Sequence, residues 1–347
     1  MHRVPPPRPA GRGALPHLAE ALFLLVCHFW FTAACFLVPA RPRGEALADY
    51  LARTWLPRRY VSHYLLPLLS SVSTCTHAEL LAFPASDVIA YKKLSHGQQH
   101  FAVCGGVHQV QSRLAKGVDD IRLACTVTAV EARKDGLLVR WQPTGGPGRP
   151  RASEQRFDRV VLAVSPDVAA RLFRPLAAAL GKMPTRRVES SIRSPRPGAF
   201  SLAAANESAA AAACSHHRGS SWPAQVITFR TLFAGDESRT QAVHAMPSGV
   251  LVSTSPLEAA ADPKAVLRTA SFTRTLRTPE SRATVQSIMG HGRWQDGAGD
   301  VAWVNGQDNL WLAGSWCWDG MVLLEGCVVS AMRVARDFGV RVPWREE

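Results

Sequence analysis

The residues best placed to do chemistry lie near the carboxyl end. There Asn309-Leu310-Trp311-Leu312-Ala313-Gly314-Ser315-Trp316-Cys317-Trp318-Asp319-Gly320 leads on to Leu324-Glu325-Gly326-Cys327-Val328-Val329-Ser330-Ala331. A short apolar run stops at a small-residue turn. A second glycine then opens a segment whose apolar residues Val328, Met332, Ala335 and Phe338 recur at helical spacing. This pattern predicts a strand, a turn, a loop and a helix N-terminus. Open α/β sheets bind ligands beyond the carboxyl ends of their strands, and a helix start offers N–H groups to an electronegative ligand. The segment therefore reads as half of a cofactor site. Glu325 either contacts that ligand or simply favours the positive end of the helix dipole.

Two further blocks would position such a site. One is Val103-Cys104-Gly105-Gly106-Val107-His108-Gln109-Val110, followed by Leu114 and by Ile121-Arg122-Leu123-Ala124-Cys125-Thr126-Val127-Thr128-Ala129-Val130. The other is Phe157-Asp158-Arg159-Val160-Val161-Leu162-Ala163-Val164-Ser165-Pro166, a β-branched strand with proline just past its end, where a missing N–H is harmless to the ladder. In this order, the three blocks resemble the flavin amine oxidase superfamily over roughly residues 45 to 343.

The resemblance implies FAD as cofactor and hydride transfer from an amine or another small organic substrate. It also implies roles for particular residues. Gly105 and Gly106 would form the turn that opens a helix, and Val127 would meet the adenine through its backbone. Ala163, Ser165 and Pro166 would lie beneath the cofactor, with Gly314, Ser315, Glu325, Gly326 and Cys327 contacting it from the carboxyl-terminal segment. Ser315 stands where many relatives carry glutamate. Trp316 and Trp318 would either line a substrate pocket near the flavin ring or pack as core aromatics. No lysine falls in a matching motif, Lys182 and Lys264 read as surface charges, and no catalytic side chain is identified.

No Gly-x-Gly-x-x-Gly occurs. Gly11-Arg12-Gly13 and Gly290-His291-Gly292 lack the third glycine and a preceding β-branched strand. The expected fold class is therefore α/β: a Rossmann-like FAD/NAD(P)-binding domain, incomplete because its first βαβ unit is missing, with an α+β substrate domain. The competing expectation is a truncated, non-catalytic fragment or pseudoenzyme that cannot retain FAD.

Composition narrows the function classes. The net charge is +13, but only six of the 40 basic residues are lysines, and the arginines are scattered among Ala, Gly and Pro. No basic run with interleaved aromatics appears, which argues against nucleic-acid binding. The eight cysteines, at 27, 35, 75, 104, 125, 214, 317 and 327, show no Cys-x-x-Cys pairing, so a disulfide framework is not expected and a reducing, cytoplasmic setting is. Cys214-Ser215-His216-His217 is too short to read as a metal site. His63, His77, His108 and His244 lack a Ser or carboxylate partner at the spacing of a hydrolase triad. Cys104 before Gly105 reads as strand-to-helix packing rather than as a nucleophile.

Residues 1–17 are rich in Pro and Arg and read as a disordered leader. Ala21 to Ala40 is almost wholly apolar and close to the ~20 residues that cross a bilayer. A membrane span or surface attachment and a buried helix of the substrate domain both remain open for 21–40, whereas a cleaved signal peptide is disfavoured. The expected organisation is helical substrate-domain material over 18–100, with its apolar helix at 18–40, then FAD-domain material over 101–182. A substrate-domain sheet over 184–305 follows, with a flexible insertion at 198–221, and an FAD-binding strand and helix over 306–343. Within these, Ser86 or Asp87 is expected to cap a helix, a hairpin is expected around Asp135-Gly136, strands at Gln225–Phe229 and Gly249–Thr254, and a helix around 263–272.

Overall fold

The computed structural model describes residues 11, 13–42, 44–98, 103, 107–144, 152–194, 226–246, 250–257, 265–290 and 303–343. Its helices are α1 (Ala14–Leu37), α2 (Leu47–Arg53), α3 (Leu66–Ser73), α4 (His77–Leu81), α5 (Ala85–Ser95), α6 (His108–Leu114), α7 (Pro166–Leu172), α8 (Ala177–Leu180), α9 (Pro279–Ile288) and α10 (Leu324–Asp337). Its strands are β1 (Cys125–Arg133), β2 (Gly136–Pro143), β3 (Ser153–Phe157), β4 (Val160–Leu162), β5 (Thr185–Arg193), β6 (Val226–Leu232), β7 (Arg239–Ala245), β8 (Leu251–Thr254), β9 (Val266–Thr275) and β10 (Leu310–Leu312). Two compact units result, Met1–Ile89 with Pro184–Pro279 and Ala90–Met183 with Glu280–Glu347.

The first unit combines helices with an antiparallel sheet of order β6-β7-β8-β5-β9. The apolar stretch expected from Ala21 is helical from Ala14 to Leu37, so His17 and its neighbours belong to the helix rather than to the leader. It ends because Val38 is extended ahead of Pro39, as the residue before proline prefers. At Thr76 a capping box forms, the Thr76 hydroxyl accepting from the Glu79 N–H while Glu79 accepts from the Thr76 N–H. Glu79 also accepts from Arg186 on β5 at 2.9 Å, which fixes α4 to the sheet.

Two expectations fail in this unit. Residues 266–275 form a strand, not a helix, because β9 pairs along the whole of β5, from Thr185↔Thr275 to Arg193↔Val266. Its Val, Thr and Phe residues suit a pleated sheet. Ser86 and Asp87 do not cap α5 from outside, since the helix already begins at Ala85. Asp87 is instead buried with Arg277, each 1% exposed, the guanidinium Nε lying 3.7 Å from the carboxylate.

The second unit holds an antiparallel sheet β1-β2-β3 and a parallel pair, β4 with β10. The expected hairpin turns at Lys134-Asp135, with Arg133 opposite Gly136. Gly136 has φ +123°, and a Cβ there would lie 2.6 Å from the Phe157 carbonyl, so both conformation and space demand glycine. A core of Leu162, Leu172, Phe173, Leu176, Leu180, Leu310, Leu312 and Trp316 gathers around the β4/β10 pair. Val285, Ile288 and Trp303 join that core. Burial therefore draws 280–290 and Trp303 into this unit rather than into the sheet expected over 184–305. The expected division near residue 100 falls instead at Ile89/Ala90, within α5.

Candidate functional site

The strand pairing brings two segments far apart in sequence to one edge. Leu310, Trp311 and Leu312 lie parallel to Val160, Val161 and Leu162, and the ladder extends through the Ala313 N–H, which donates to the Leu162 carbonyl at 3.1 Å. Beyond it both chains turn on small residues, Ala163 on one side and Gly314-Ser315 on the other. The Trp316 indole N–H donates across the gap to the Val164 carbonyl at 2.9 Å, tying the turns together. Ala163 is exposed, and Ser315 is half-buried.

The helix α10 starts beside the second turn. Its residue Ser330 is only 2% exposed, and its hydroxyl accepts from the Gly314 N–H at 2.9 Å and donates to the Gly326 carbonyl at 2.7 Å. One side chain thus holds the turn against the helix. Sequence reading missed Ser330 because a serine within an apolar helical run carries no motif. The loop between turn and helix is held by Asp319, which accepts from Gln286 at 2.9 Å and lies 3.4 Å from Arg282.

Glycines shape the helix start. A Cβ on Gly326 would lie 2.4 Å from Trp318 Cδ1 and 2.5 Å from the Ser315 carbonyl. A Cβ on Gly320 would lie 2.6 Å from Trp318 Cζ2. The Trp318 ring therefore rests in a notch made by both glycines, its N–H donating to the Met321 carbonyl at 3.0 Å. A shallow cleft opens beside it, lined by Ala90, Tyr91, Leu94, Trp318, Gly320, Met321, Leu323 and Glu325. Burial raises the Tyr91 phenol pKa, and the nearby Glu325 charge adds to the effect.

The predicted residues divide accordingly. Ala163, Gly314, Ser315, Glu325, Gly326 and Cys327 collect at the β4/β10 ends and the α10 start. The Cys327 thiol is raised in pKa by burial, opposed by the Ser315 N–H. Ser165 and Pro166 open α7: the Ser165 carbonyl accepts from Ala169 N at 3.0 Å, and proline stands at the first helical position, where its missing N–H would be unpaired anyway. Val127 lies on β1 at a bulge between Val127 and Ala129, 38% exposed. Trp316 is 2% exposed within the core, while Trp318 lines the cleft. Gly105, Gly106, Cys104, Lys264 and the insertion at 198–221 lie outside the described residues.

Other candidates separate from this cluster. His77 is buried and hydrogen-bonded to Thr240 at 2.9 Å, and His63 meets the neighbouring Ser62 hydroxyl at 2.7 Å. Among the described residues no group of His, Cys, Asp and Glu could hold a metal ion, and Cys27, Cys35, Cys75, Cys125, Cys317 and Cys327 are free thiols.

Residues 41–198 match the family described as flavin containing amine oxidoreductase. No curated protein matches the chain. The matched span includes Val127, Ala163, Ser165 and Pro166 and ends before the carboxyl-terminal turn, so the assignment of Gly314 to Cys327 rests on their placement beside β4.

A match to that family would imply a flavin. The strand-end edge fits one: small residues at Ala163 and Gly314-Ser315 allow close backbone approach, and the 14-residue α10 begins beside them, its Gly326 N–H bonded to the Leu323 carbonyl at 3.0 Å. The Gly326 notch does not fit one, because Trp318 and the Ser315 carbonyl already fill it.

Proposed function

We propose that this chain is an FAD-dependent oxidoreductase of the amine oxidase type, which takes a hydride from an amine or another small organic substrate. When bound, the flavin would supply the hydride acceptor, and the protein would supply position and exclusion of water. The second unit would then be part of a Rossmann-like dinucleotide domain. The observation that carries this reading is the parallel β4/β10 pair, whose carboxyl ends meet the start of α10. Ala163 and Ser315 would flank the flavin, Glu325 would accept hydroxyl hydrogen bonds from it, and the buried Trp316 would keep the two turns at fixed separation.

A second reading, a non-catalytic chain that does not retain FAD, is favoured by one observation. The cleft beside Trp318 encloses only about 10 Å³, room for no more than a water molecule. Purifying the 347-residue chain and recording its visible spectrum with and without added FAD separates the two. Stoichiometric flavin bands support the oxidoreductase. A colourless protein that leaves added FAD fluorescence unquenched overturns it.

A further inference from the structure

The helix α1 turns its apolar side outward. From Leu18 to Leu37 every exposed residue is apolar: Leu18, Ala19, Leu22, Leu25, Val26, Phe29, Trp30, Ala33, Phe36 and Leu37. Their spacing keeps them on one stripe, about 30 Å long at 1.5 Å per residue. Leu22 is 59% exposed, Phe29 65% and Leu37 79%. Soluble surfaces rarely carry a contiguous patch of this kind.

The opposite face is anchored. Glu20 is buried, and its carboxylate accepts from Arg59 and from the Tyr64 hydroxyl. Phe31 and Cys35 are fully buried, and at the edge of the stripe the Trp30 indole donates to the Thr54 carbonyl at 2.9 Å. A helix crossing a bilayer would have to withdraw these groups and carry the Glu20 carboxylate into hydrocarbon. The anchored face therefore opposes spanning, while the outer face is unsuited to water.

Charge identifies what covers that face. Residues 1–44 contain Arg3, Arg8, Arg12, Arg41 and Arg43, and their one acidic residue, Glu20, is the one held inside. The stripe is thus preceded in the sequence by Arg3, Arg8 and Arg12 and presents no acidic group, whereas Arg41 beyond it pairs with Glu45. Protein interfaces carry a polar rim and about one hydrogen bond per 100–200 Å², but the exposed residues of this stripe offer no side-chain hydrogen-bonding group other than the Trp30 indole, which is already used. An apolar helix face that follows a basic segment matches an anionic lipid surface.

We propose that α1 is an in-plane membrane anchor: its Leu22/Val26/Phe29/Phe36 face enters the headgroup–acyl boundary of an anionic bilayer while Glu20, Phe31 and Cys35 stay packed in the protein. The inference is independent of flavin binding. It is tested by co-flotation of the full chain with phosphatidylcholine vesicles, with and without phosphatidylglycerol. The expected result is flotation that strengthens at least ~10-fold with phosphatidylglycerol and weakens as sodium chloride is raised. Leu22→Glu/Phe29→Glu should abolish it without changing the circular dichroism spectrum or melting temperature, because both side chains are exposed. A second variant, Arg8→Ser/Arg12→Ser, should reduce only the dependence on phosphatidylglycerol. Cell-free synthesis into sealed vesicles reports topology: an in-plane helix leaves an amino-terminal tag open to added protease on the same side as the body.

A chain that stays unbound from both vesicle types overturns the proposal. So does a stable dimer that Leu22→Glu/Phe29→Glu converts to monomer, which would make the stripe an interface between copies. Protection of the tag with the body digested, or the reverse, would show a spanning helix and overturn the in-plane placement.

Discussion

Replacing Gly326 with alanine isolates the close packing at the start of α10. The added Cβ would meet Trp318 Cδ1 at 2.4 Å, Trp318 Nε1 at 2.5 Å and the Ser315 carbonyl at 2.5 Å. None of these atoms gives way easily. The indole is held by its hydrogen bond to Met321 and backed by Gly320, and the Ser315 carbonyl belongs to a turn that Ser330 fixes through Gly314. Overpacking of this kind costs about 1–3 kcal/mol, against which alanine gains about 1 kcal/mol of helix propensity over glycine. The expected net change is therefore a loss of up to about 2 kcal/mol, read as a lowered urea midpoint by tryptophan fluorescence. Gly326→Ala/Trp318→Ala should recover part of that loss relative to the sum of the single changes, since the clash disappears with the ring. A Gly326→Ala chain more stable than the parent by the propensity gain, about 1 kcal/mol, would refute the packing argument.

Trp316→Phe keeps most of the ring volume but leaves the Val164 carbonyl without its 2.9 Å donor. It should lower stability by about 1–3 kcal/mol in the same urea assay. Asp87→Ala removes one member of an ion pair whose side chains are each 1% exposed, leaving Arg277 buried. A loss of about 3–5 kcal/mol, or failure to accumulate as folded protein, is expected, with Asp87→Ala/Arg277→Met recovering part of it. Burial lowers the pKa of both His77 and His244 in the folded chain. The unfolded chain therefore takes up more protons below the ordinary histidine pKa of about 6.5, so stability should be full above that value and fall as pH drops below it. Melting temperatures measured across that range should show the fall, and His77→Gln should make it shallower.

The alternation and turn chemistry of the chain specify much of its local structure. Lys134-Asp135-Gly136 sets a hairpin, because Gly136 must take φ +123° beside the Phe157 carbonyl. Thr76-x-x-Glu79 writes a helix start in which two backbone donors are satisfied reciprocally. The small-residue ends of β4 and β10 and the glycine at the start of α10 are also legible, since strand ends and helix starts have local signatures. Segment 266–275 was not: Val-Leu-Arg-Thr-Ala-Ser-Phe-Thr-Arg-Thr becomes a strand because β5 offers a complete ladder, and pairing across about 80 residues leaves no local trace. The same applies to Asp87 with Arg277 and to Ser330, whose hydroxyl becomes structural only when Gly314 arrives beside it.

The sequence by itself determined that this chain has an apolar amino-terminal helix, a small-residue turn leading into a carboxyl-terminal helix, and a span, 41–198, that matches the amine oxidoreductase family. Tertiary structure decided what those elements do. It paired β4 with β10, buried Trp316 while seating Trp318 against two glycines, and turned the Glu20 side of α1 inward so that its apolar stripe faces out. Periodicity specifies that a helix has two faces, but only packing against Arg59, Tyr64 and Thr54 selects which one is covered.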